Sequence, residues 1–101
     1  MSDTNNRRIS RFMIGDSHPS LAGHFPGRPL VAGVIVLEEV QNALSTFWPG
    51  RVLAAFPQVK FVSPLLPGEW AELELVRLDT DQFDFRVTRE GALIASGKVR
   101  A

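Results

Sequence analysis

The chain has 101 residues, 45% of them hydrophobic and 22% charged, a length that one hydrophobic core organises and a balance that rules out general disorder. Eleven Lys and Arg offset eleven Asp and Glu, for a net charge of zero, which argues against nucleic acid as a partner because the nonspecific attraction to phosphate is missing. Cysteine is absent, which excludes disulfides, thiolate metal sites and cysteine nucleophiles.

Residues 1–6 are polar and without period, so residues 1–7 are expected to be a flexible lead-in to a single domain at 8–101. Ile9, Phe12 and Ile14 supply a first short strand. Gly15 to Gly33 then holds four Gly and three Pro in nineteen residues, too many for regular structure. Irregular segments of that length are commonly functional or disordered, and Leu21, Phe25, Leu30 and Val31 favour packing here. From Val34 to Trp48 neither Gly nor Pro occurs, and Val36, Leu37, Val40, Ala43, Leu44 and Phe47 share one side of a 3.6-residue wheel. This predicts a helix that Pro49 and Gly50 stop.

The remainder reads as strands at Val52 to Val62, Trp70 to Asp79, Phe83 to Arg89 and Leu93 to Arg100. The breaks at 64–68, 79–81 and 90–91 carry turn residues and predict hairpins. Phe83, Phe85 and Val87 alternate with Asp84, Arg86 and Thr88, the pattern of a strand with one face on a core. The expected architecture is α+β, an antiparallel meander covered by one helix. The longest apolar run, Leu30 to Leu37, is eight residues, short of the roughly 20 that span a bilayer. Arg7 and Arg8 are followed by no apolar signal core, so the expected location is cytoplasmic.

Both histidines, His18 and His24, fall in the irregular segment. On residue type alone two loop histidines are surface or packing residues. His24, however, sits in Gly23-His24-Phe25-Pro26-Gly27-Arg28-Pro29, where a backbone restrained on both sides can hold an imidazole in the single pose a general base needs. The same residues would also serve a tight turn with no chemistry. Glu38 and Glu39 interrupt the apolar run at the helix start. Glu38 lies opposite the main apolar face, as solvated helical glutamates do, yet Val34 and Ile35 make the first turn apolar nearly all round. That turn is therefore expected to be buried on more than one side, with Glu38 close to low-dielectric surroundings. The first helical N–H groups, beginning at Gly33, lack internal acceptors and could bind an oxyanion.

The run from Gly23 to Glu38 resembles the active-site segment of the 3-hydroxyacyl-[acyl-carrier-protein] dehydratases. In that family a His-Phe-Pro-Gly loop leads into a helix start with a catalytic Glu fourteen residues after the His, the spacing of His24 and Glu38. Val59-Lys60-Phe61, followed by Pro64, Pro67, Gly68 and Glu69, is similar to the family's strand and Pro-Gly-Asp turn. Ala32 stands where a Pro usually precedes the helix glycine, and Glu39-Val40-Gln41-Asn42 replaces a smaller, more apolar run, differences that bear on pocket shape. In compactness and in His18-Pro19 the chain looks most like the short dehydratase-like proteins of polyketide-type clusters, such as aryl polyene pathways.

The resemblance implies a hotdog fold, an antiparallel sheet wrapped around one central helix, in a homodimer or higher oligomer of dimers. It implies dehydration of (3R)-3-hydroxyacyl thioesters to trans-2-enoyl thioesters, with His24 as base, Glu38 protonating the hydroxyl and the Gly33 N–H polarising the carbonyl. Phe25, Pro26, Gly27, Val34 and Asn42 would contact substrate, and no metal or cofactor is implied beyond the phosphopantetheine of an acyl carrier protein. That carrier is acidic, so Arg28, held between prolines, and Lys60 become the docking candidates. A hotdog thioesterase and a non-catalytic acyl-thioester-binding subunit are the competing readings; the His-Phe-Pro-Gly motif argues against the thioesterase.

Overall fold

The computed structural model describes residues 6–15 and 33–101. Within them lie β1 (Arg7–Phe12), α1 (Gly33–Phe47), β2 (Ala55–Phe61), β3 (Ala71–Arg77), β4 (Gln82–Arg89) and β5 (Ala92–Arg100). Each element falls in the segment where periodicity predicts it. β2 starts three residues later than expected, and β1 already includes Arg7, paired with Val76, so the expected lead-in boundary moves forward.

α1 forms because Val36, Val40 and Leu44, spaced four apart and joined by Ile35, make one continuous stripe, each residue 5% exposed or less. The helix closes with Trp48 N–H donating to the Leu44 carbonyl at 2.9 Å. Gly50, at φ 90°, then takes the chain through a left-handed conformation that side chains disfavour.

The strands form one antiparallel sheet in the order β1-β3-β4-β5-β2. β3, β4 and β5 are the expected meander, but β2 pairs with β5, not with β3. The break at 64–68, expected to be a hairpin, is therefore a crossover between an edge strand and the far half of the sheet. A tight turn there would leave Leu65 in water; the crossover buries it to 1% exposure. It is pinned by Gly68 N–H to the Ile14 carbonyl at 2.8 Å and by Leu66 N–H to Glu69 Oε1 at 3.0 Å. β2 carries a register shift between Ala55 and Gln58, which accommodates Pro57, since a proline without N–H is tolerated only at an edge or a bulge.

The sheet's inner face is set by register. Leu73 faces Val87 and then Ala95; Leu75 faces Phe85 and then Gly97; Phe83 faces Val99. The buried side chains of this face pack under the α1 stripe with Phe12, Ile14 and Leu65, and no polar or charged residue is buried among the described residues. One helix against this antiparallel sheet is the hotdog fold implied above. The outer face carries charge, including the cross-strand pair Lys98 and Asp84 at 3.0 Å and the pair Arg7 and Glu74. No helix among the described residues is long and apolar enough to cross a membrane.

Candidate functional site

Gly33 opens α1, where the first N–H groups of a helix point outward without intrahelical acceptors. Its lack of a side chain is required by packing: a Cβ there would lie 2.7 Å from Phe61 Cζ and 3.1 Å from both Cε atoms of that ring. Beside this contact is a cavity of about 400 Å³ lined by Gly33, Val36, Phe61, Val62, Ser63, Pro64, Leu65 and Ile94. Its floor is made by Val36, Leu65 and Ile94, all exposed by 2% or less, while Phe61 remains 51% exposed. The arrangement is an apolar slot that ends at the N-terminus of a helix, suited chemically to an acyl chain whose polar carbonyl meets backbone donors.

Of the residues singled out from sequence, Gly33, Val34, Glu38 and Asn42 lie along the first turns of α1. Val34 is 61% exposed, and Glu38 and Asn42 are exposed as well. The expectation that the first turn is buried nearly all round is met only in part within one chain: the buried arc runs from Ile35 through Val36, Val40 and Leu44, and the side that carries Val34 and Glu38 faces outward. Asn42 uses its carbonyl to accept the Thr46 hydroxyl at 2.9 Å. Lys60 lies on β2 opposite Ser96 on the outer face, pointing away from the cavity. His24, Phe25, Pro26, Gly27 and Arg28 lie outside the described residues.

Phe61 and Ser63, which line the cavity, were not among the candidate site residues, although Phe61 belongs to the Val59-Lys60-Phe61 match. The signal was there for Phe61: with Lys60 outward, period-two alternation turns Val59 and Phe61 inward.

β2 is also an edge. Val62 N–H donates to the Ile94 carbonyl at 2.8 Å, so in this register residues 60 and 58 bond β5, while the backbone groups of Val59 and Phe61 face the open side. Among the described residues this edge has no further strand, and with exposed Val34, Phe61 and Val62 beside it it is a surface that another chain can cover.

A second hollow, of about 580 Å³, lies on the outer face among Arg11, Glu69, Trp70, Glu72, Thr88 and Arg89. Arg89 pairs with Glu69 at 2.7 Å and Arg11 stacks 5.4 Å from the Trp70 ring. The Arg89 guanidinium, with the Leu66 N–H, holds the Glu69 carboxyl below the usual carboxylate range, and partial desolvation opposes them. Among the described residues the hollow thus holds one ion pair and one cation–ring contact.

The chain matches the ApeI-like family, described as ApeI dehydratase, over residues 1–98. A 3-hydroxyacyl-[acyl-carrier-protein] dehydratase FabZ from Polynucleobacter necessarius is 30% identical over 95 residues, covering 82% of this chain and 64% of that protein. The chain thus spans less than two thirds of that curated relative. Among solved structures, the dehydratase heterocomplex ApeI:P from Xenorhabdus doucetiae superposes with a TM-score of 0.85 at 24% identity, covering 95% of this chain and 87% of that one. An acyl-CoA hydrolase from Staphylococcus aureus shares the architecture with a TM-score of 0.72 at 12% identity, over 98% of this chain and 63% of that one. At these identities the structural likenesses establish the hotdog fold.

Proposed function

The chain belongs to the ApeI-like dehydratase family, and on that premise we propose that it eliminates water from (3R)-3-hydroxyacyl thioesters to give trans-2-enoyl thioesters, in fatty acid or polyketide-type biosynthesis. The observation that carries the reading is Gly33 at the head of α1, beside an apolar cavity, with Glu38 further along the same helix. The thioester carbonyl is held by the Gly33 N–H, which favours the enolate charge that develops on its oxygen. His24 removes the C2 proton; the electron pair forms the C2–C3 double bond as the C3–O bond breaks; Glu38 supplies the proton with which the hydroxyl leaves as water.

In this reading the working unit is a homodimer. Glu38 and Val34 are open to solvent in one chain, and a second copy paired along β2 would close the site and bring His24 and Glu38 together from different subunits. The substrate arrives on the phosphopantetheine of an acyl carrier protein, with Arg28 and Lys60 as docking cations. Charge reversal at Arg28 should then impair carrier-bound substrate and spare a small pantetheine thioester; equal losses on both would remove the docking role.

The deciding experiment follows a 3-hydroxyacyl-pantetheine thioester. Dehydration yields the conjugated enoyl chromophore, whereas hydrolysis releases free thiol and a pure binder yields neither. Sedimentation across micromolar concentrations tests the dimer; a fully active monomer would refute the shared site.

A further inference from the structure

We infer that Phe61 determines which acyl groups reach the head of α1. The inference rests on the reaction proposed above for that end of the helix, and it assigns the selecting role to a side chain that the catalytic motif does not contain.

The geometry is specific. The three ring atoms nearest a Cβ built on Gly33 are Cζ and both Cε atoms, so the ring meets the helix edge-on, tip first. Phe61 stands opposite Ala95 on β5, whose methyl cannot replace the ring as a wall. Val36, Leu65 and Ile94 are closed into the core, whereas Phe61 is half-exposed and outside the buried cluster. Close-packed walls resist change, and an edge strand's half-exposed ring does not. Among the described residues, Phe61 is the side chain that meets Gly33, so its ring sets the clearance of the slot at that point. A linear acyl chain can lie along the ring, but a substituent on C2, the carbon beside the thioester carbonyl, would be driven against its edge.

The test compares linear 3-hydroxybutyryl-pantetheine with its 2-methyl counterpart on the full chain. Phe61→Leu and Phe61→Ala should raise the branched-to-linear ratio of kcat/KM by about 10- to 200-fold, the range one methyl group commands in an apolar pocket. Gly33→Ala, which drives a methyl into the ring, should lose activity, and Phe61→Leu in the same chain should restore part of it. A ratio unchanged within about twofold in variants that keep the parent's circular dichroism, below the least that one methyl commands, overturns the inference. Should the wild type dehydrate neither thioester, the reaction reading fails. The role of Phe61 is then decided by dissociation constants of unreactive amide analogues carrying the same two acyl groups: the same shift across the variants sustains it, and its absence overturns it.

Discussion

Gly97 is where the sheet tolerates least change. It lies on β5 opposite Phe85 on one side and Val59 on the other. A Cβ there would stand 2.2 Å from the Gln58 carbonyl oxygen, 2.8 Å from Phe85 Cε2 and 3.0 Å from Val59 Cα. Two of these three atoms are β2 backbone, which cannot rotate aside, so Gly97→Ala must push β2 away by roughly 1 Å to restore contact distances. Overpacking costs about 1–3 kcal/mol, and a strained ladder bond beside Gln58 adds about 1 kcal/mol. Reduced freedom of the unfolded chain returns about 0.4–1 kcal/mol. The net loss is about 1–4 kcal/mol, a fall in Tm of roughly 4–30 °C for a domain of this size. Thermal melts by circular dichroism, at fixed protein concentration, measure it. Gly15→Ala is the control, because nothing lies within 4 Å of its Cβ position, and it should match or slightly exceed the parent. If Gly97→Ala melts within about 2 °C of the parent, roughly a quarter to a half of 1 kcal/mol, β2 is not held against β5 in this way.

Glu69, held acidic by Arg89 and Leu66, contributes stability above the ordinary carboxylate pKa that is lost as pH falls through its lower folded value. Melts from about pH 6 to about pH 3 should therefore fall more steeply for the parent than for Glu69→Gln, and parallel curves would contradict the pairing. At the β4–β5 turn, Glu90 is at φ 50° and Gly91 at φ 82°, a pair of positive angles that suits Asn-Gly better than Glu-Gly. Glu90→Asn should raise stability by several tenths to about 1 kcal/mol in a denaturant melt; a loss would count against that turn. Glu38→Gln and His24→Ala should each lower dehydration by about 10²- to 10⁴-fold, with Glu39→Gln mild. A crippled Glu39→Gln beside a mild Glu38→Gln would shift the proposed acid by one residue.

Local patterns in the chain were enough to place α1 and the strands. Val36, Val40 and Leu44 recur with helical spacing, Phe83, Phe85 and Val87 alternate, and both signals arise from side-chain direction within a few residues. The resemblance carried by His24 to Glu38 and by Val59 to Glu69 likewise rests on residues adjacent in sequence, and the family match over residues 1–98 agrees with it. Strand order was another matter. Turn residues at 64–68 fit a hairpin as well as a crossover, and only burial of Leu65 and the close approach of Gly97 to Gln58 and Val59 put β2 at the far edge beside β5. The exposure of Glu38 and Val34 was equally hidden, because a helical wheel shows which residues are apolar but not how many sides of the helix the sheet covers. Gly33 could be named from sequence as a helix start. That it must be glycine because the ring of Phe61 occupies the space of its Cβ is a contact across 28 residues, and such distant contacts are made by packing, which no local periodicity encodes.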